Sequence, residues 1–237
     1  MEYNFKPLTD GLTELGITLS EKQLEQFSTY YEMLVEKNKV MNLTAITEWE
    51  EVLEKHFLDS VSLIRAKELS QSITVLDLGT GAGFPGIPLK IVFPNLKITL
   101  ADSLNKRVSF LNEVIEALKL DDIEAIHGRA EELARDGKYR EKYDLCVSRA
   151  VANLSTLSEY CLPFVALGGE FISYKSGEVE EEAQAAKSAI FLLGGKVTNT
   201  VKFSLGESSR SFIVIEKVKG TPKTYPRKAG TPSKKPL

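Results

Sequence analysis

Residues 75–88 read VLDLGTGAGFPGIP. A short apolar run that carries one carboxylate, Asp77, passes directly into four glycines and two prolines. Such a junction marks the end of a strand and the start of a helix: glycine lets the backbone approach a ligand closely, and the first amides of the helix point at it. Gly79, Gly81 and Gly83 alternate, so side chains are missing where a flat, bulky ligand has to lie. Pro85 and Pro88 suit a first helical turn, where a missing N–H is harmless. Three alternate glycines raise the entropic cost of folding, and helix-on-strand packing alone is a weak reason for all of them.

Outward from this turn, short β-branched runs alternate with amphipathic stretches. Strand-like runs lie at Ile73–Leu78, Lys97–Ala101, Ile123–Ile126, Tyr143–Val147 and Glu170–Tyr174. Helices are expected between them: one ending near Phe93, one over Asn105–Leu118, a turn around Glu131, one over Leu154–Val165 and one over Val179–Leu193. That alternation implies parallel strands with helices on both faces. Val197–Leu205 and Ser211–Val218 are joined by only Gly206–Arg210, which suits a hairpin, so one of these strands should run antiparallel to the rest.

Before residue 70 the chain reads as helices. Ser20-Glu-Lys-Gln23 and Thr47-Glu-Trp-Glu50 both have capping-box form, and apolar residues recur at helical spacing after each. The expected organisation is a helical extension over residues 1–68, an α/β domain over 69–219 and a basic flexible tail over 220–237.

The chain has 237 residues, 43% of them hydrophobic, a composition typical of a folded domain. No window approaches the ~20 uninterrupted apolar residues that a bilayer span requires, so no membrane partner is expected. The N-terminus lacks the basic start and apolar core of an export signal, so a cytoplasmic location is expected. Cys146 and Cys161 lie far apart in apolar sequence and read as reduced core residues. With two histidines and no Cys/His cluster, no metal site is expected. Net charge is −3, but residues 220–237 hold five basic residues and no acid, so the rest of the chain carries −8. Such a tail could track phosphates through Lys223, Arg227 and Lys228, or simply solubilise the chain.

Two ligand classes compete for the glycine turn. Gly81-Ala-Gly83-Phe-Pro-Gly86 matches the dinucleotide pattern G-x-G-x-x-G, with Asp102 at the end of the next strand as a ribose acid. Pro85, Asp77 two residues before the first glycine, and the terminal hairpin all sit poorly with that reading. Asp77-Leu-Gly79-Thr-Gly81-Ala-Gly83 instead resembles the D/E-x-G-x-G-x-G motif of class I S-adenosylmethionine-dependent methyltransferases, again with Asp102 on the ribose.

A wider set of segments narrows this. Asn42-Leu-Thr-Ala-Ile46, Lys55-His-Phe-Leu-Asp-Ser60, the glycine turn, Asp102-Ser-Leu-Asn-Lys-Arg107, Gly128-Arg-Ala-Glu131 and Ser148-Arg-Ala-Val-Ala152 occur in order. Together they resemble the bacterial small-subunit ribosomal RNA guanine-N7 methyltransferases, the RsmG or GidB family. Lys55 departs mildly, since the family often has Arg there; a point charge replaces a planar fork. The resemblance implies a Rossmann-like, seven-stranded class I methyltransferase sheet with one antiparallel strand, and methyl transfer from S-adenosylmethionine to N7 of one guanine in 16S ribosomal RNA. It implies donor contacts from Gly79, Phe84, Ala130, Glu131 and Arg149, with Arg149 binding the donor carboxylate or ordering the loop that faces the guanine. Asn42, Lys55 and His56 become candidate RNA contacts, although Asn42 also reads as a turn residue and His56 as a core histidine. The expected working form is a monomer.

Residues absent from the sequence agree. No Cys lies in a loop beside an activating base, as attack on a pyrimidine carbon would need. The segment after the fourth strand reads Ser148-Arg-Ala-Val-Ala152, without the Asn/Asp-Pro-Pro-aromatic run used for exocyclic amines. Guanine N7 carries no proton, so positioning can suffice and no general base is expected. An NAD-dependent oxidoreductase and a nucleotide-sensing protein without turnover remain as alternatives.

Overall fold

Ser20 accepts from the amide of Gln23 at 3.3 Å while the Gln23 side chain accepts from the amide of Ser20 at 2.9 Å. This is the anticipated capping box, worth about 1 kcal/mol. In the computed structural model, which describes residues 3–149 and 152–237, it opens α2 (Glu21–Met41) after a first helix α1 (Lys6–Glu14). Helix α2 buries Phe27, Tyr30 and Leu34 and ends at Asn42, whose left-handed conformation (φ 49°) asparagine tolerates better than most residues.

The second anticipated box does not form. Helix α3 (Trp49–Val52) begins after Glu48, without a side-chain cap, and Thr47 O instead accepts from the Tyr31 hydroxyl at 2.9 Å. Tertiary packing sets this start: the Trp49 indole donates to Asn4 O at 2.9 Å and lies against Tyr3, Phe5 and Tyr31. The helical path continues through π-helical turns (Leu53–Leu58), α4 (Asp59–Val61) and a 3-10 turn (Ser62–Arg65).

Then come β1 (Thr74–Leu78), α5 (Gly86–Val92), β2 (Lys97–Asp102), α6 (Asn105–Ala117), β3 (Ile123–His127), α7 (Ala130–Leu133) and β4 (Tyr143–Ser148). They are followed by α8 (Leu154–Cys161), β5 (Val165–Ser176), α9 (Glu180–Leu192), β6 (Gly195–Leu205), β7 (Ser208–Lys217) and α10 (Thr231–Lys234). Among the described residues the sheet has seven strands in the order β3-β2-β1-β4-β5-β7-β6. Strands β1 to β5 pair in parallel, and β7 runs antiparallel to both β5 and β6. The expected class I methyltransferase architecture is therefore present. Some boundaries differ: α8 stops at Cys161, a 3-10 turn spans Leu162–Phe164, β5 begins at Val165, paired with Tyr143, ahead of the expected Glu170, and β7 begins at Ser208 ahead of the expected Ser211. Pro163, which has no N–H and clashes with a preceding helical carbonyl, ends the helix that periodicity alone extends to Val165.

One face of the sheet shares a hydrophobic cluster with α2, the π-helical turns, α5 and α6, including Phe27, Tyr30, Phe57, Ile87, Phe110 and Leu145. The other face packs on α8 and α9 through Leu154, Leu157, Phe171, Ile190 and Ile213. The N-terminal helices are thus part of the principal core. Gln23 Nε2 donates to Ile91 O at 2.7 Å and Gln26 Nε2 to Leu118 O at 2.8 Å, tying α2 to the ends of α5 and α6.

The expectation of a flexible tail over 220–237 is corrected. Arg140 donates to Thr221 O at 2.8 Å and Tyr225 O at 3.0 Å, and Arg135 donates to Pro226 O at 2.6 Å. Arg227 forms an ion pair at 2.6 Å with Glu159, whose side chain is fully buried. Tyr225 and Leu237 pack against the second cluster. Proline and lysine content hides this docking, because these anchors are single residues without helical or strand spacing.

Candidate active site

The carboxyl ends of β1, β2 and β4 lie side by side, with Leu78 opposite Ala101 and Asp77 opposite Val147. From there the glycine turn leaves the sheet. Asp77 organises it from below: Oδ2 accepts from Thr80 Oγ1 at 2.6 Å and from the Gly86 amide at 2.8 Å. Complete burial raises the Asp77 pKa to about 6, although these two donors and Arg149 pull it down. Gly79, Gly81 and Gly83 all have positive φ, at 74°, 63° and 109°. A Cβ on Gly79 or Gly81 would meet nothing within 4 Å, so there is open room above the turn. At Gly83 a Cβ would come within 2.4 Å of Ile87 Cδ1 and 2.8 Å of the Tyr30 hydroxyl. Gly83 therefore serves close packing with α2 and α5 and does not clear space for a ligand. Tyr30, donating to Ala82 O at 2.7 Å, fixes the turn from the N-terminal extension.

A cavity of about 320 Å³ opens at these strand ends, a size suited to a small ligand. Gly79, Asp102, Ala130 and Glu131 line it. Asp102 Oδ2 accepts from the Gly81 amide at 3.0 Å and Oδ1 from the Leu104 amide at 2.9 Å, which holds the carboxylate at the mouth of β2. Oδ2 also accepts from Arg107 Nη1 at 3.4 Å, which leaves the further lone pair on Oδ1. Ala130 and Glu131 open α7 just beyond β3, and Glu131 Oε1 accepts from the Gly230 amide at 2.8 Å.

Phe84 and Arg149 are not on this wall. Phe84 is buried, with the imidazole of His56 stacked on it at 4.4 Å between centroids and the guanidinium of Arg149, beside that imidazole, 5.0 Å from its ring centroid. Arg149 Nη1 donates to Asp59 Oδ2 at 2.9 Å and Lys55 O at 3.1 Å, and Nη2 faces His56 Nδ1 at 3.1 Å. Asp59, almost fully buried, also faces Arg210 Nε at 2.9 Å. The angle there is unsuited to a hydrogen bond, so the contact is ionic. Arg149, Asp59, Arg210, Tyr174 and Lys175 line a second cavity of about 540 Å³. Ala152 lines both cavities, which therefore adjoin at the loop after β4. Ala150 and Val151 of that loop lie outside the described residues.

Residues 23–213 match the GidB family, described as rRNA small subunit methyltransferase G. The chain belongs to this family. The ribosomal RNA small subunit methyltransferase G of Lachnoclostridium phytofermentans is 58% identical over 229 residues, 96% of this chain and 95% of that protein. The protein of the same name from Bacillus subtilis is 50% identical over 236 residues, 99% of each. Among solved structures, a SAM-dependent methyltransferase from Aquifex aeolicus shares the fold at 19% identity and a TM-score of 0.53, covering 70% of this chain and 92% of that one.

The GidB segments named above thus converge on two adjoining cavities, but not every candidate faces one. Asn42 is an exposed helix cap, and Lys55 pairs on the surface with Glu51. His56 is buried, its Nε2 2.8 Å from Thr44 Oγ1, and burial together with Arg149 lowers its pKa to about 3. Lys223 and Lys228 are exposed, whereas the Arg227 guanidinium is committed to Glu159. Asp59 and Arg210 escaped the sequence reading. Asp59 stands within the Lys55–Ser60 segment, three residues after His56 on a helical face, and that spacing was its one signal. Arg210 lies at the distant hairpin and left none.

Proposed function

We propose that this chain transfers the methyl group of S-adenosylmethionine to N7 of a guanine in 16S ribosomal RNA. The observation that carries this reading is the pair of cavities meeting at Ala152, one suited to a nucleoside and the other walled by Arg149, Asp59 and Arg210. Relatives named ribosomal RNA small subunit methyltransferase G, aligned over nearly the whole chain, support the substrate class.

The first cavity fits the donor. The open room above Gly79 and Gly81 accepts bulk, the Asp102 carboxylate can accept a hydrogen bond from a hydroxyl, and Ala130 and Glu131 offer backbone groups to a base edge. When bound, the donor supplies a methyl group activated on a sulfonium cation. The residues here then have to bind, orient and exclude water.

In the second cavity Asp59 is occupied by two arginines, and Glu182 accepts from Lys175 Nζ at 2.7 Å and the Leu154 amide at 2.8 Å. Tyr174 donates to Ser60 O at 2.8 Å, and burial raises its pKa well above the ordinary value. These groups are poorly placed to take a proton, and guanine N7 has none to give, so holding the base in line is the main task. Cys146 is buried beside Cys161 with its pKa raised by burial, which leaves it protonated and inert toward a pyrimidine carbon. Arg149 is the principal positioning residue, acting on the acceptor side. The guanine must be splayed from its duplex to reach this depth. We take the working form to be a cytoplasmic monomer; no helix among the described residues is long and apolar enough to cross a membrane.

The test offers labelled S-adenosylmethionine with ribosomal RNA and with small subunits from cells lacking this protein, then maps N7-methylguanine by reductive strand scission. Label at one guanine N7 is expected. Label in a pyrimidine or in protein, or none with either substrate, overturns the assignment.

A further inference from the structure

We propose that the C-terminal segment 226–237 forms a wall of the methyl-donor cavity, with Gly230 and Ser233 as donor-positioning residues; this rests on the donor reading above. Both residues line the cavity that Gly79, Asp102 and Glu131 line from the sheet side. Both also lie beyond residues 23–213, where the family match ends.

Four contacts place this wall, and three of them come from α7 and α8, the elements that border the cavity. The Gly230 amide donates to Glu131 Oε1 at 2.8 Å, linking the segment to a residue of the cavity itself. Thr156, fully buried in α8, donates through Oγ1 to Pro232 O at 3.1 Å. Glu159, one turn further along α8, accepts from the Arg227 backbone amide at 2.7 Å and from its guanidinium at 2.6 Å. Arg227 Nη2 then donates to Lys235 O at 2.8 Å, which closes the segment on itself around α10. A fully buried carboxylate is costly without a partner, so Glu159 ties α8 firmly to this segment. Gly230 has φ 79°, and a Cβ there would meet nothing within 4 Å. Glycine at this position therefore serves the backbone geometry that aims its amide at Glu131, and crowding does not require it. An idle solubilising terminus would need none of these contacts.

The experiment measures binding of S-adenosylhomocysteine by isothermal titration to three proteins: the full chain, a chain ending at Arg227, and a Gly230→Pro variant that lacks the donating amide and cannot adopt the φ of 79° that aims it. Folding of each is checked by circular dichroism melting. The truncated chain keeps the Arg227–Glu159 pair and loses residues 228–237, which include both lining residues, Gly230 and Ser233. Both altered proteins should bind about tenfold more weakly, equivalent to about 1.4 kcal/mol. Unchanged affinity in either folded variant overturns the inference, and if the truncated chain does not fold, Gly230→Pro decides alone. If the full chain binds no S-adenosylhomocysteine, the donor reading falls, and this inference falls with it.

Discussion

His56 stacks on Phe84 and meets the Arg149 guanidinium through Nδ1. A nitrogen that accepts from Arg149 carries no proton, so Nε2–H is the one that donates to Thr44 Oγ1, and the neighbouring Lys55 O is served by Arg149 instead. Burial and Arg149 lower its pKa from 6.5 to about 3. The unfolded chain takes up a proton at the ordinary value and the folded one resists, so the stabilisation is complete above pH 6.5 and is lost as pH falls toward 3. By pH 5 the loss should reach about 2 kcal/mol. Asp77 has the opposite sign: its pKa is raised from 3.8 to about 6, so its contribution is complete below 3.8 and is lost as pH rises through 6. A His56→Gln variant should therefore lose much of the acid sensitivity, read as the shift in urea midpoint between pH 7 and 5. An unchanged shift would mean that the imidazole is solvated.

At the scale of elements, the π-helical turns set the acceptor side. The Asp59 amide reaches back five residues to Glu54 O, and Lys55 O accepts from Arg149. Such turns are rare and concentrate at functional sites. They bring Asp59 between Arg149 of the β4 loop and Arg210 of the β6–β7 hairpin, joining three distant parts of the chain through one carboxylate. An Asp59→Asn variant removes that anion without changing the donor cavity, which Asp59 does not line. Turnover should fall about 100-fold from misplacement of the acceptor. Affinity for S-adenosylhomocysteine should stay within about twofold of the parent, since the lost contacts lie outside that site. Equal losses in both would place Asp59 in general support of the fold.

At the scale of the whole molecule, the charge distribution matters more than the total. Net charge is −3, yet Lys223 and Lys228 are exposed on a segment without acids, whose Gly230 and Ser233 line the donor cavity. If they meet phosphates, replacing both with Gln should flatten the dependence of log affinity for substrate RNA on log salt by about 1.4, at about 0.7 per phosphate on a single strand. Arg227 is left out because Glu159 neutralises it. An unchanged slope in filter binding would put the RNA on another face.

The sequence by itself determined the strand, glycine turn and helix around Asp77, the alternation that builds the parallel sheet, the hairpin that reverses β7, the Ser20 cap and the family. These are local matters: each depends on backbone dihedrals, spacing or a hydrogen bond spanning a few residues. Only the tertiary structure decided that Gly83 yields to Tyr30, that His56 and Arg149 together pack on Phe84, that Asp59 joins Arg149 to Arg210, and that the C-terminal segment docks on Glu131 and Glu159. Those contacts join residues tens to more than a hundred positions apart, and the packing of one element on another places them, so no local pattern announces them.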